Sequence, residues 1–264
     1  MGTLVNYATD KGVALMTLTE PPVNAYTHEM IKELDASILE ARFDDDVHVI
    51  IVTGHGDKYF CAGANVNMLK EADESFTYYF SLHASETLLR LESTPKLVIA
   101  AINGHCLGGG FELALACDLR IARAGGFQIG LPDVELGLVP AAGGTQRLAR
   151  TIGKARAIEL LVEGRKLSVD EAFATGLVHK VWETETNDAF LRRAMDYAHE
   201  FCPPTRAALA VGSIKRAVQS GLESSLEQGL ALERELQQRI VSTQDARDGI
   251  AAFTQKRKPT FQAR

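Results

Sequence analysis

Four short apolar runs, at 13–18, 47–52, 97–102 and more weakly 119–122, read as strands rich in Val, Ile, Leu and Ala. The middle two end at Gly54 and Gly104. Between the first pair of runs, Ile31, Leu34, Ile38 and Ala41 recur at 3-4-3 spacing, and between the next pair Phe76, Phe80, Ala84, Leu88 and Leu91 recur at 4-4-4-3. These are helical periods. Strand–helix alternation predicts an α/β fold with mainly parallel connections, while periodicity alone does not choose between an open sheet and a spiral of stacked turns. After about residue 145 the chain reads as successive helices, one of them opened by a capping box at Ser168 and Glu171, with a short strand at 178–182. Cys202-Pro203-Pro204-Thr205 breaks the chain, and Thr205 is placed to cap a helix beyond it. The predicted units are therefore a core at 1–202 and a helical segment at 203–264.

Composition narrows the class. With 264 residues, 46% hydrophobic and 23% charged, the chain has enough material for a large core, and no apolar run approaches the ~18–20 residues of a membrane span. The first residues show neither a signal peptide nor a transit sequence, which makes the cytosol the default compartment. The four cysteines form no CxxC pair and no zinc-spaced cluster, so buried, reduced thiols are expected. A net charge of −6 argues against nucleic-acid partners. An anionic ligand must be held by a local patch.

Familiar signatures fail on inspection. His28-Glu29-Met30-Ile31-Lys32 has Lys where a zincin needs its second His, and Leu113 stands where a dinucleotide fingerprint needs its third glycine. Phosphate-loop and GxSxG patterns are absent. What remains are two glycine-containing segments following strong strands, 58–64 and 103–112. Small residues there let backbone N–H groups approach a ligand, and a helix N-terminus adds positive character. Glu112 lies in an otherwise apolar or small run, so it is either an exposed first-turn residue or a desolvated acid. A second acidic cluster, with Asp133 and Glu135, sits in 130–140.

Taken together, Pro22-Val23-Asn24-Ala25, Phe60-Cys61-Ala62-Gly63-Ala64, the run from Asn103-Gly104 through Glu112, Cys117-Asp118, and the run from Leu136 through Leu148 resemble, in order and spacing, the enoyl-CoA hydratase/isomerase or crotonase superfamily. The resemblance runs nearly end to end. It implies a spiral of ββα turns with a C-terminal helical segment for trimer formation, and assembly as a homotrimer or as a hexamer of two trimers. It also implies an acyl-CoA thioester as substrate and no metal or redox cofactor, coenzyme A being part of the substrate. The backbone N–H groups of Ala64 and Gly109 would form an oxyanion hole, a device worth ~3–4 kcal/mol per donor in acyl-transfer sites. Glu112 and Asp133 match the two catalytic acids, Asp133 standing where glutamate is usual and Asn65 where aspartate often follows the oxyanion alanine. Asn24, Ala25, Lys58 and Ala62, with Phe253 and Lys256 from the tail of a neighbouring subunit, match positions that contact CoA. The acyl-pocket wall is expected to include 68–79. Hydration of a 2-enoyl-CoA is the expected reaction, with double-bond isomerisation as the alternative. A CoA-ester binder without chemistry fits less well, since Gly109, Glu112 and an acid at 133 are all present.

Overall fold

The computed structural model describes residues 3–264. Its six-stranded sheet runs in the order β1 (Val5–Asp10), β2 (Val13–Leu18), β3 (Val49–Gly54), β5 (Leu97–Ile102), β7 (Leu119–Arg123), β10 (Lys180–Trp182), and every pairing is parallel except the antiparallel β1–β2 hairpin. A second sheet has the order β4 (Tyr59–Cys61), β6 (His105–Leu107), β8 (Gln128–Gly130), β9 (Lys166–Ser168). The chain steps from the large sheet to the small one and then into a helix three times. One turn is β3, β4 and the helices α2 (Val66–Glu71) and α3 (Glu74–Glu92). The next is β5, β6 and α4 (Gly109–Ala116), and the last is β7, β8, a 3-10 turn Asp133–Leu136 and α5 (Gly144–Ile152). The expected spiral of ββα turns is thus present.

The long apolar runs are explained by burial on both faces of the large sheet. On β3, Ile50 and Val52 face the core shared with α1 (His28–Phe43), α3 and α4, whereas Val49 and Ile51 face Phe190, Ala194 and Ala198 of α8 (Asn187–His199). The paired strand begins at Val49 rather than at 47. The turns that leave the large sheet are held by buried asparagines: Asn103 Nδ2 donates to the Gly54 and Gly56 carbonyls at 2.9 and 2.8 Å. Only glycine is compatible with this packing at 104, because a β-carbon there would strike the Lys58 backbone.

The helices α6 (Lys154–Glu163) and α7 (Val169–Ala174) follow, the latter opened by the anticipated capping box, with Glu171 N–H donating to Ser168 Oγ at 3.2 Å and Ser168 N–H donating back to Glu171 Oε2 at 2.8 Å. Beyond Pro203 come α9 (Ala208–Leu222), α10 (Leu226–Val241) and α11 (Gln244–Thr254). Thr205 does not cap α9; the N-cap is Ala207, with no side-chain bond, while Thr205 N–H closes a turn on the Cys202 carbonyl. What anchors α9 is a buried ion pair, Lys215 Nζ to Asp118 Oδ2 at 2.8 Å, with Gln219 Nε2 donating to Asp118 Oδ1 at 3.0 Å. All four cysteines are free and buried. No helix among the described residues is long and apolar enough to cross a membrane.

Candidate active site

The segments after β4 and before α4 are pressed together by residues without side chains. A β-carbon on Gly110 would overlap the Cys61 carbonyl, and one on Gly63 would stand 2.9 Å from the Gly109 nitrogen. Tyr26 forms a parallel bridge with Ala64, taking its bonds from the residues on either side: Tyr26 N–H donates to the Gly63 carbonyl at 2.9 Å and Asn65 N–H donates to the Tyr26 carbonyl at 3.0 Å. The Ala64 N–H therefore points away from that bridge. Gly108 precedes α4 with φ 51 and ψ −131 and offers no side-chain cap, so the N–H of Gly109, first residue of the helix, has no partner within it. Ala64 and Gly109 both line one cavity of about 300 Å³.

Glu112 enters the same cavity from the first turn of α4 and is 3% exposed. It is the desolvated acid of the two alternatives. Its Oε1 accepts hydrogen bonds from Ala142 N–H at 2.8 Å and Gly144 N–H at 2.7 Å, the latter at the N-terminus of α5. Burial raises its pKa from 4.5 to about 7; the two backbone donors and Arg147 oppose the rise, and the Asp133 carboxylate adds to it. Arg147 is itself held by Glu92, with Nη2 donating to Oε2 at 2.8 Å, and by the Ala142 carbonyl, to which Nη1 donates at 2.9 Å.

Asp133 begins the 3-10 turn and faces the cavity from the opposite segment. Its Oδ2 is buried, has no hydrogen-bond partner among the described residues, and lies 3.8 Å from where a β-carbon on Gly108 would be. Burial pushes its pKa up as well. Glu135 sits at the rim, where its Oε2 pairs with Lys166 Nζ at 2.8 Å and its side chain is 53% exposed. One apolar pocket thus gathers two unspent backbone donors, an acid poised near neutrality and a second acid whose oxygen is unpaired. Such an arrangement can stabilise negative charge on a carbonyl oxygen and move protons on the adjacent carbons.

The remaining sequence candidates divide by place. Ala62 lines the pocket, and Lys58 is exposed, its ammonium 5.7 Å from the Tyr59 ring centre. Asn24 is 1% exposed, with its side-chain amide donating to the His55 and Tyr59 carbonyls at 2.9 Å each and its backbone N–H to the Glu20 carbonyl at 2.7 Å, so its side chain is spent inside the protein; Ala25 is buried beside it. Phe253, 86% exposed, and the exposed Lys256 stand at the end of α11 and line no part of their own chain's pocket. Asn65 caps α2, accepting from Asn67 and Met68 N–H at 3.0 and 3.2 Å. From 68–79, Leu69 and Thr77 reach the pocket wall, whereas Tyr78 and Tyr79 point to solvent.

Two features of the pocket are not assigned from the sequence. The amides of Ala142 and Gly144 hold Glu112, and their only signal is the small-residue run Ala142-Gly143-Gly144. Tyr26 follows Asn24-Ala25 directly and is 7% exposed, yet it contributes to the pocket lining.

A family model described as enoyl-CoA hydratase/isomerase matches residues 8–264. The short-chain-enoyl-CoA hydratase of Clostridium acetobutylicum is 37% identical, the match covering 93% of this chain and 92% of that protein. The 2,3-dehydroadipyl-CoA hydratase of Escherichia coli (strain K12) is 36% identical over 96% of both. Among solved structures, an enoyl-CoA hydratase from Geobacillus kaustophilus HTA426 superposes with a TM-score of 0.95 at 37% identity, covering 100% of this chain and 98% of that one. Carried by this end-to-end match in sequence and fold, the chain belongs to the enoyl-CoA hydratase/isomerase family, of the crotonase superfamily.

Proposed function

We propose that the protein is an enoyl-CoA hydratase that adds water reversibly to a 2-enoyl-CoA thioester. The observation that carries this reading is the unpaired Asp133 Oδ2 facing the same pocket as Glu112, since two acids can hold a water between them and divide the proton transfers of an addition. The thioester oxygen sits between the N–H groups of Ala64 and Gly109. One carboxylate takes a proton from the water as the water oxygen bonds to Cβ, and the Cβ–Cα π pair becomes an enolate whose charge rests on the thioester oxygen. A proton delivered to Cα completes the addition. A metal or redox group has no part in this sequence of steps.

Coenzyme A would lie across Ala62, Lys58 and the backbone of Asn24 and Ala25, with Phe253 and Lys256 supplied by a neighbouring subunit. Exposed apolar side chains on the C-terminal helices support that assembly: Ile214 and Val218 on α9, Leu226 on α10, Ile250 on α11. A trimer, or two trimers stacked as a hexamer, would cover them, with residues 203–264 as the assembling segment and the cytosol as the compartment.

The test compares Asp133→Asn with Glu135→Gln in crotonyl-CoA hydration at saturating substrate. The first variant loses at least ~10²-fold in kcat and the second stays near wild type, because Asp133 is a proton-transfer group and Glu135 is a rim residue paired with Lys166. Full activity in Asp133→Asn defeats the two-acid mechanism. Conversion of a 3-enoyl-CoA to its conjugated isomer, with no hydration of crotonyl-CoA, assigns the protein to isomerisation instead.

A further inference from the structure

The phenol of Tyr26 is anchored at one end and unspent at the other. Its backbone is clamped against the strand segment that carries Ala64, through the bonds to Gly63 and Asn65 at 2.9 and 3.0 Å. Its ring crosses to the start of α4, with the Phe80 ring centre 6.0 Å away, and its hydroxyl ends so close to the Cα of Gly109 that any β-carbon there would overlap it. The hydroxyl therefore arrives beside Gly109, one of the two residues whose N–H groups form the proposed oxyanion hole. Glu112 is not hydrogen-bonded to it; the Glu112 bonds within the protein run from the amides of Ala142 and Gly144 to Oε1. Among the described residues no hydrogen bond engages the Tyr26 hydroxyl, and Tyr26 lines the pocket, which leaves the O–H free to donate to a ligand there.

We propose that the Tyr26 hydroxyl is a third hydrogen-bond donor to the thioester oxygen, beside the backbone N–H groups of Ala64 and Gly109. The inference rests on the acyl-CoA reading given above and adds a catalytic residue to it. The phenol stays protonated, because burial and the neighbouring Glu112 carboxylate push its pKa well above its ordinary 10, so it donates throughout the working range. Gly109 acquires a second reason to be glycine. It supplies an N–H, and it leaves room for the hydroxyl that supplements it.

Tyr26→Phe keeps the ring and removes only the donor. Two reactions separate its possible roles. Hydration of crotonyl-CoA needs both the enolate and the added water. Exchange of the Cα hydrogens of butyryl-CoA in D2O needs only the enolate: a carboxylate takes the proton, the C–H pair moves into the enolate, and a deuteron from solvent-exchanged carboxyl returns to carbon. A donor to the thioester oxygen serves both reactions. In Tyr26→Phe, kcat for hydration and the exchange rate therefore fall together by about 10–100-fold, somewhat under the ~10²–10³ of removing a lone oxyanion donor because two others remain. The KM and melting temperature stay close to wild type. Wild-type rates in both reactions overturn the inference, and so does a loss of hydration with exchange intact, which would place the hydroxyl on the water. A wild-type protein inert in both reactions defeats the acyl-CoA reading itself, and this inference with it.

Discussion

Gly144→Ala probes the grip on Glu112 without touching a functional group. A β-carbon at Gly144 would lie 2.9 Å from Cγ and Oε1 of Glu112 and 2.9 Å from Cδ1 of Leu131. Carbon contacts are comfortable at about 3.5–4.0 Å, so roughly 0.6–1 Å of movement is demanded. Glu112 cannot yield without loosening its bonds to Ala142 and Gly144, at 2.8 and 2.7 Å, and the carboxyl group is the part displaced. A misplacement of ~1 Å costs on the order of 10²-fold in rate, while overpacking costs about 1–3 kcal/mol of stability. We expect kcat for crotonyl-CoA hydration to fall about 10–100-fold with a modest change in KM and a lowered melting temperature. Gly126→Ala is the control, because a β-carbon there meets nothing within 4 Å. A folded Gly144→Ala protein with wild-type kcat would show that the position of Glu112 is not set by this contact, and would refute the reasoning.

Removing the charge of Glu112 should trade turnover for stability, in a pH-dependent way. Its folded-state pKa of about 7 exceeds the ordinary 4.5, so its favourable contribution is full below the unfolded pKa and is lost as pH rises through the folded one. The loss amounts to about 3 kcal/mol for the wild type, and Glu112→Gln, which cannot ionise, is spared it. Thermal unfolding should show the variant gaining on wild type between about pH 5 and pH 8 while crotonyl-CoA hydration is abolished; a gap that does not widen with pH contradicts the desolvated acid. The pocket lining holds Glu112, Asp133 and Glu135 but no Lys, Arg or His among the described residues, and Lys166 at the rim is already engaged by Glu135, so a substrate with a second carboxylate on its acyl chain finds no unpaired cation in the lining. The kcat/KM for crotonyl-CoA should exceed that for 2,3-dehydroadipyl-CoA by at least ~10-fold, and equal values would mean that a cation reaches the acyl end from elsewhere.

The large sheet and its covering helices were legible because their residues repeat. The runs at 13–18 and 97–102 coincide with β2 and β5, and the spacing from Phe76 to Leu91 lies within α3. The small sheet left no such trace, since β4, β6, β8 and β9 have three residues each, too few to establish a period. The strand β1 escaped notice because it is an outer strand with most of its positions part-exposed or exposed. Within the site, Ala64, Gly109, Glu112 and Asp133 could be nominated from motif order, and the pocket brings all four together. Tyr26 could not, because an aromatic next to Asn24-Ala25 looks like core until the empty place at Gly109 is seen. Nor could the amides that hold Glu112, since a backbone donor has no letter in the sequence.

The three ββα turns divide the proposed chemistry among themselves. The exit of the first supplies the Ala64 N–H, the exit of the second supplies Gly109 and Glu112, and the exit of the third supplies Asp133 and then the amides of Ala142 and Gly144. Each part is mounted on its own repeat, and the repeats meet around the cavity, where the Ala142 and Gly144 amides of the third hold Glu112 of the second. Such a layout is modular. The segment leaving β8 could be exchanged for one bearing a different acid, or none, while the half of the site proposed to bind the carbonyl, built by the two earlier repeats, stayed as it is. On the proposed chemistry, a scaffold wired in this manner can change what is done to an enolate without rebuilding the place that holds its oxygen.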